Sequence, residues 1–450
     1  MCEKRRHIII GTSGHIDHGK SSIVKILTGT DPDRFQEEKD RGMTIDLGYA
    51  FYSDQVAFID VPGHERFIKN MVAGVTTIDF VMFVIAADDG VMPQTREHLD
   101  ILRVLDISRG LIVLNKIDLV EPDWLDLVEE DVRELVKDTF LQGAPVVRVS
   151  SVTEAGFDEL RQEIDLLVQE ATGRRDCGYF WLPIDRSFSI QGFGTVVTGS
   201  VLSGELKVGE EVELLPVRKR IKVRGLQRHG KKSDNVLLGD RAAVNLPGIH
   251  RDKISRGDVL ATPGLGMVTK RLDVQLQLLS SSPRPIKDQD RLRLHVGTSE
   301  IFTRVRLLDC RELFPGRSGF VQLMLEKEIA VSRRDRFVIR RYSPSVTIGG
   351  GVILDNSPLE RHHRFDDDVI RHFQYMLTED PETIIHEYLQ NCMRPKGDLE
   401  ISRASSLTVE KTREYLNNLH QKGKIHRFQA GSRINYMADS EWQRLQEKVL

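Results

Sequence analysis

The chain is short of cysteine, of net charge and of long apolar runs, and each shortage excludes something. Its four cysteines, Cys2, Cys177, Cys310 and Cys392, are scattered over 450 residues. They make neither a CxxC pair nor a metal-ligand spacing, and they read as reduced cysteines of a cytosolic protein. Lys and Arg total 64 against 67 Asp and Glu, a net charge of -3. That balance predicts no global attraction to nucleic acid, so an RNA-binding face has to be local. No apolar run approaches membrane-spanning length, which predicts no membrane partner. Met1 to Arg6 lacks the apolar core of a signal peptide, and His7 to Ile10 is too short to be one. Repeats and low-complexity segments are absent as well.

What remains is an ordinary globular composition, 40% hydrophobic and 29% charged. The length exceeds one core and predicts about three or four domains. Residues 7 to about 170 alternate apolar strands (His7-Gly11, Val56-Asp60, Phe80-Ala86, Gly110-Asn115, Val146-Val149) with amphipathic helices (Gln94-Leu105, Asp123-Asp138, Gly156-Glu170). This is the pattern of an α/β domain with a mostly parallel sheet covered on both faces. Short strands with Gly and Pro punctuation then run to about Asp355, among them Gly194-Ser200, Glu211-Leu215, Val268-Leu278 and Gly319-Leu325. They suit two β-barrels that divide near Ala261-Gly264. Helical periods return after Leu359, at Thr383-Gln390 and Val409-Gln421, followed by two strands around Ala430-Ser432. Helices and a hairpin suggest an α+β winged helix. The expected divisions are 1–172, 173–264, 265–357 and 358–450.

The most informative stretch is Gly14-His15-Ile16-Asp17-His18-Gly19-Lys20-Ser21, a phosphate-loop pattern between an apolar strand and a helix start at Ser22. Such a loop turns backbone N–H groups toward an anion. Gly14 and Gly19 let the backbone curl, Lys20 reaches the β- and γ-phosphates, and Ser21 offers a hydroxyl to Mg²⁺. Asp60-Val61-Pro62-Gly63-His64 follows a strand, which puts Asp60 where a carboxylate holds Mg²⁺ and leaves Gly63 room to approach a γ-phosphate. Asn115-Lys116-Ile117-Asp118 ends another strand. A carboxylate there accepts from the N1–H and 2-amino group of guanine, donors that adenine lacks, so Asp118 argues for GTP over ATP. Ser150-Ser151-Val152 stands where a backbone N–H meets guanine O6. In Arg41-Gly42-Met43-Thr44-Ile45, Thr44 supplies a second hydroxyl to Mg²⁺, and the charged run before it suits a segment ordered by GTP.

GHIDHGKS, RGMTI, DVPGH, NKID and SSV together resemble the five signature elements of translational GTPases, with the elongation factor Tu branch the closest group. The resemblance implies a ribosome-stimulated GTPase using GTP/GDP and Mg²⁺. It implies that His64 orients the attacking water behind an apolar gate of Ile16 and Met43. Lys20, Ser21, Thr44 and Asp60 would serve phosphate and metal. Asn115, Lys116 and Asp118 would serve guanine, with Asp17, His18, Ser22, Ser150 and Ser151 completing the nucleotide site.

Leu182-Pro183-Ile184-Asp185-Arg186-Ser187-Phe188 and Gly192-Phe193-Gly194-Thr195 resemble the second domain of that group, where a pocket receives the aminoacyl end of a tRNA. Elongation factor Tu has a second acid where this chain has Arg186, and Gly-Asp-Asn where this chain has Gly239-Asp240-Arg241. A guanidinium in the pocket would favour a selenolate anion over a neutral serine hydroxyl. The chain in this respect is similar to the selenocysteine-specific elongation factors, the SelB family, as are Arg341-Tyr342-Ser343-Pro344 and Thr347-Ile348-Gly349-Gly350-Gly351. The implied partners are selenocysteyl-tRNA, the ribosome and, through the tail, an mRNA hairpin beside a recoded UGA codon. The implied aminoacyl pocket contains Asp185, Phe188 and Arg241, and the expected state is a monomer in the cytoplasm. The family usually carries four winged-helix modules, whereas residues 359 to 450 have room for about one. The expectation is therefore a fragment, a truncated form or a shortened variant, with hairpin binding assigned to no residue.

Two basic clusters have two readings each, tRNA-phosphate contact or a solvated face: Arg218-Lys219-Arg220-Ile221-Lys222-Val223-Arg224, and the group Arg333, Arg334, Arg336, Arg340 and Arg341. Lys411, Arg413 and Lys422 lie on the candidate recognition helix, diluted by Glu410 and Glu414. Two rivals stay open: another elongation factor Tu-like GTPase (initiation-factor γ-like or a sulfate-activation subunit), and a winged-helix nucleic-acid-binding regulator with a GTPase switch.

Overall fold

The computed structural model describes residues 7–32, 44, 46–53, 55–64, 67–75, 77–171, 176, 178–192, 194–228, 230–343, 346–358, 360–377, 380–390, 392, 394–405, 407–430 and 433–449. Apolar β-rich runs with no polar alternation must be buried on both faces, and the first domain shows why. Strands β1 (Ile8–Ser13), β2 (Gly48–Phe51), β3 (Val56–Asp60), β4 (Phe80–Ala86), β5 (Gly110–Asn115) and β6 (Val146–Arg148) form one sheet in the order β2-β3-β1-β4-β5-β6. All pairs are parallel except β2 with β3. The register sets Ile10 between Phe58 and Phe80.

Alternation along each strand splits the core in two. One face carries Ile9, Ile59, Val81, Phe83, Ile112 and Leu114, covered by helices α2 (Ile68–Val75), α3 (Pro93–Val104) and α4 (Pro122–Leu135). The other carries Ile8, Ile10, Phe58, Met82, Val84 and Val113 against Ile23 of α1 (Lys20–Thr28) and Leu160 of α5 (Phe157–Glu170). The loops at the carboxyl ends of β1, β3, β5 and β6 thus emerge at one edge, where doubly wound sheets place ligands.

The second unit wraps two larger sheets and a two-stranded one (Glu205–Lys207 with Asn235–Leu237) around one core of Leu182, Val197, Val212, Leu214, Val244 and Leu260. Strands Lys219–Lys222, Glu211–Leu215, Val259–Ala261 and Trp181–Pro183 make one sheet; Lys231–Ser233, Gly225–Arg228, Arg241–Leu246, Gly194–Ser200 and Arg186–Ile190 make the other. The third unit is a closed six-stranded barrel in the order Val268–Leu278, Ser318–Ala330, Ser299–Leu307, Arg291–Val296, Arg336–Arg341 and Thr347–Asp355. The strand expected at Gly319-Leu325 extends over Ser318–Ala330, because Val268–Leu278 pairs with it from Ser318 to Met324 and again at Ile329 and Ala330.

The last unit is α+β: helices Asp367–Leu377, Pro381–Gln390, Asp398–Ser405, Val409–Gln421 and Asp439–Val449, with a three-stranded sheet in the order Lys396–Gly397, Arg433–Ala438, Ile425–Ala430. Ile385, Leu389, Ile401, Leu416 and Leu419 form its core. Among the described residues no helix is long and apolar enough to cross a membrane. Cys310 and Cys392 are unbridged thiols, and Cys2 and Cys177 lie outside the described residues.

The arginines of the third barrel join the units. Arg340 donates to Glu97 at 3.3 Å, Thr347 Oγ1 donates to the same carboxylate at 2.8 Å, and Arg336 pairs with Asp106. Arg333 donates to the Met376 carbonyl at 3.0 Å and so ties the barrel to the helical unit. Arg341 is held by Asp290 at 2.9 Å and by the Pro285 carbonyl at 2.8 Å. This cluster therefore makes structural bonds. In the other basic run, Arg220, Lys222 and Arg224 are exposed while Ile221 and Val223 are buried, as period-2 alternation requires.

Candidate functional site

The phosphate loop leaves β1 at Gly14, whose φ of +142° and close approach to β4 both require glycine. A Cβ there would stand 2.1 Å from the Val84 carbonyl oxygen. Gly19 caps α1 in a left-handed conformation, so the helix begins at Lys20 itself. Lys20 Nζ donates to the carbonyls of Gly14 (3.1 Å) and His15 (2.6 Å). Asp17 in the loop and Ser22 on α1 are exposed, and His18 is buried.

Ser21, Thr44 and Asp60 converge. Asp60 Oδ2 accepts from Ser21 Oγ at 2.6 Å and from Thr44 Oγ1 at 3.3 Å, and the two hydroxyls are 3.0 Å apart. Asp60 Oδ1 accepts from Thr12 Oγ1 at 2.5 Å, and Thr12 Oγ1 accepts from Val61 N–H at 3.2 Å. Burial pushes the Asp60 carboxyl upward, while Lys20 and the three hydroxyls hold it down; burial wins. Two hydroxyls and a carboxylate with a desolvated charge are the oxygen donors that Mg²⁺ takes, so these residues fit the ion. Among the described residues no group of three or more His, Cys, Asp or Glu is gathered for a metal. Thr12 was not singled out from sequence; in a β-strand its hydroxyl gives no signal of its own.

Gly63 lies against the loop, where a Cβ would stand 2.6 Å from Lys20 Nζ and 2.7 Å from the Ile16 backbone N. His64 follows, half-buried, its ring 6.0 Å from that of Phe67. Ile16 is half-buried beside it in the loop, and Met43 of the expected gate lies outside the described residues.

The third edge of the site comes from the ends of β5 and β6. Asn115 Nδ2 donates to the His18 carbonyl at 3.0 Å, and its Oδ1 accepts from Ser151 N–H at 3.2 Å and Ser151 Oγ at 2.9 Å. Asn115 thereby ties the phosphate loop to the Ser150-Ser151 turn. Asp118 is exposed, and its Oδ1 accepts from Ser150 Oγ at 2.5 Å. Lys116 holds a φ of +62° and donates to Asp88 at 3.1 Å. The carboxylate of Asp118 thus faces solvent with its orientation set by Ser150.

Two buried histidines brace the loop. Gly14 N–H donates to His98 Nδ1 at 3.1 Å, and His18 Nδ1 lies 3.3 Å from the Val84 carbonyl. Burial lowers both imidazoles to about 3. His98 was hidden in the apolar period of Gln94-Leu105; its only sequence signal is a polar residue on that stripe.

A second cluster joins the first barrel to the nucleotide domain. Arg241 forms a two-pronged ion pair with Asp185, its Nη2 at 2.9 Å from Oδ1, and contacts Thr198 Oγ1 at 3.3 Å. Its guanidinium carbon lies 4.2 Å from the centre of the Tyr49 ring. Burial pulls the Arg241 pKa down, but Asp185 overrides that and the net shift is upward. Arg186 reaches across to Asp46 at 2.8 Å and to the Leu47 carbonyl at 3.0 Å. Asp185 and Arg241 are therefore brought together, whereas Phe188 is 37% exposed on the strand Arg186–Ile190.

A phosphate loop, a hydroxyl–carboxylate set and an exposed acidic base acceptor on one sheet edge, followed by two β-units, define the nucleotide-switch architecture of elongation factor Tu. Residues 5–170 match the elongation factor Tu GTP binding domain and residues 194–261 match elongation factor Tu domain 2. Residues 269–360 match the β-barrel domain of the selenocysteine-specific elongation factor. In its third unit and over most of its length the chain is similar to the selenocysteine-specific elongation factors. It is 46% identical over 361 residues to the selenocysteine-specific elongation factor of Desulfomicrobium baculatum and 36% identical over 362 residues to that of Escherichia coli strain K12. Each match covers 79% of this chain and 57% of the relative, so the chain matches a little over half the length of these relatives. The crystal structure of a bacterial selenocysteine-specific elongation factor, EF-Sec, superimposes with a TM-score of 0.83 at 27% identity, over 99% of this chain and 72% of that one. Elongation factor SelB of Methanococcus maripaludis in complex with the GTP analogue GppNHp gives 0.69 at 26% identity, over 80% of each chain.

Proposed function

We propose that this chain is a GTP-dependent carrier that delivers selenocysteyl-tRNA to the ribosome at recoded UGA codons, with GTP hydrolysis triggering tRNA release. The observation that carries this reading is Arg241: an oriented guanidinium beside Tyr49, on the barrel whose counterpart in elongation factor Tu receives the aminoacyl group. A selenol is an anion at neutral pH, and a guanidinium pairs with an anion far better than with a neutral hydroxyl. Selenolate has to compete with Asp185 for that cation, so discrimination rests on the charge of the incoming group.

In the nucleotide site, Gly14, Asp17, His18, Gly19, Lys20, Ser21 and Ser22 bind the phosphates. Asn115, Lys116, Asp118, Ser150 and Ser151 bind guanine. Ser21, Thr44 and Asp60 would hold Mg²⁺, which would offset the negative charge of the phosphates during transfer to water. Gly63 meets the γ-phosphate through its N–H. His64 orients the attacking water once the gate of Ile16 and Met43 opens, which makes hydrolysis slow alone and fast on the ribosome. Asp185, Phe188 and Arg241 form the aminoacyl pocket.

We read the chain as four units with bounds at 1–172, 173–264, 265–357 and 358–450, the last a winged helix. It acts as a monomer in the cytoplasm, apart from membranes. Contact of an mRNA hairpin with the last unit is a further part of this reading and is assigned to no residue. Arg413, on the helix read in that role, and Lys422, just past its C-terminal end, are already paired with Asp398 and Glu382.

The test is Arg241→Gln. GTP-dependent protection of the ester bond in selenocysteyl-tRNA should fall to the level of seryl-tRNA on the same tRNA body, with GTP affinity unchanged. Undiminished preference for the selenocysteyl form in this variant would remove Arg241 from the pocket and with it the support for selenolate recognition.

A further inference from the structure

We propose that His98 is a positioning residue for nucleotide binding: its Nδ1 lone pair holds the Gly14 N–H and thereby fixes the first bend of the phosphate loop. The inference rests on the reading of that loop as the nucleotide site. His98 lies on α3, outside the loop and remote from it in sequence, and is fully buried. Gly14 N–H can only donate, so the 3.1 Å contact requires an unprotonated Nδ1. The Ser13 hydroxyl lies 3.3 Å from the same nitrogen. His18 has the opposite tautomer, since the Val84 carbonyl at 3.3 Å can only accept and its Nδ1 must carry the proton.

The arrangement has a cost that packing alone does not explain. With Nδ1 an acceptor, the proton sits on Nε2, and His98 Nε2 is buried with no hydrogen-bond partner among the described residues. A leucine would fill the stripe of α3 without that unpaired group. What a leucine lacks is the acceptor. Gly14 is already restrained on its other side, where the Val84 carbonyl leaves no room for a side chain. The two restraints together set the bend from which Gly14 and His15 present their carbonyls to Lys20. The same helix holds the third unit through Glu97, which accepts from Thr347 and Arg340, and Asp100, which accepts from Ser281 at 3.0 Å. The loop is thus anchored to an element braced by the barrel.

Leucine and asparagine have the same branching, but only asparagine keeps an acceptor at the position of Nδ1. The experiment compares His98→Leu with His98→Asn, reading the Kd of a fluorescent GDP and of a fluorescent GTP analogue, with thermal unfolding alongside. His98→Leu should weaken both nucleotides by about tenfold, and His98→Asn should return to within about threefold of the parent, although both lose the ring. Equal weakening in the two variants would assign the effect to ring packing and overturn the proposal; so would an unchanged Kd in His98→Leu. A parent chain that binds neither nucleotide would instead overturn the reading of the loop itself. In the parent, ¹⁵N NMR of the His98 ring supplies a check that needs no variant. Nδ1 should give an unprotonated, pyridine-type signal, and a protonated Nδ1 would contradict the proposal.

Discussion

The guanidinium of Arg241 rests 4.2 Å from the centre of the Tyr49 ring, so a cation of the first barrel is seated on the edge strand of the nucleotide sheet. Tyr49 is three residues from Asp46, which holds Arg186 of the same barrel. Two successive residues of the sequence, Asp185 (through Arg241) and Arg186, thus link the first barrel to the segment that follows Thr44.

Asp185 is the counter-charge that makes this seat stable. Replacing it by asparagine leaves a largely buried guanidinium without its anion, a change that typically destabilises by about 3 kcal/mol or more. Urea unfolding followed by Trp181, with Trp124 and Trp442 replaced by phenylalanine, should show that loss. Adding Arg241→Gln should recover part of it, because no uncompensated charge then remains. An unaltered midpoint in Asp185→Asn would mean the pair is dispensable.

Ser21 and Thr44 reach Asp60 from separate segments, and in the proposed site their hydroxyls would serve the metal. Ser21→Ala should weaken GTP binding by about tenfold in Mg²⁺, about 1.4 kcal/mol. In EDTA the parent and variant should bind alike. A loss of equal size in both conditions would place Ser21 in loop stability rather than metal binding.

In the proposed guanine site, Asp118 would offer acceptors to two donors of the base. In Asp118→Asn the side chain gains a donor amide, which suits the 2-oxo group of xanthine and not the 2-amino group of guanine. GTP affinity should fall by about a hundredfold or more, as for sites whose buried partner is left unmatched, and XTP should bind better than GTP. Competition of the two nucleotides against a fluorescent guanosine analogue measures both changes.

The buried imidazoles give a pH signature. His18 and His98 stay neutral in the folded chain down to about 3 because burial opposes their charge, whereas in the unfolded chain they protonate near 6.5. Between those values the unfolded state binds more protons, so stability falls as pH falls. Asp355 and Asp335 act in the other direction: burial raises them to about 6 and about 7. Their folded forms keep protons that the unfolded chain releases, so stability falls as pH rises from the ordinary carboxylate range. His98→Asn removes one group of the first kind. Its unfolding free energy should therefore decline less between pH 6 and pH 5 than that of the parent, by a difference approaching about 1.4 kcal/mol per pH unit. Parallel pH profiles would show that His98 is not held neutral.

Much of this was legible in the sequence because it is local. The phosphate loop, the strand ends at Asp60 and Asp118, and the helix starting beside Lys20 are short segments whose spacing is their chemistry. The arginines at 333–341 were ambiguous for the opposite reason. Their partners are Glu97, Asp106, Asp290 and the Met376 carbonyl, and the two on α3 or just beyond it lie 243 and 230 residues away. Only the fold reveals that they are bound within the chain. Arg241 was legible as a cation and not as a paired one, since Asp185 is 56 residues away in sequence, in the link between Trp181–Pro183 and Arg186–Ile190. His98 was masked by its helix, whose apolar period absorbs a neutral imidazole without breaking. Met43 was assigned by position alone and lies outside the described residues.

The most direct measurement of the central claim is ester-bond protection by the parent chain in the presence of GTP and of GDP, comparing selenocysteyl-tRNA with seryl-tRNA on one tRNA body. The account predicts strong protection of the selenocysteyl form with GTP, little with GDP, and little for the seryl form with either nucleotide. Equal protection of both aminoacyl groups, or none of either, would contradict it.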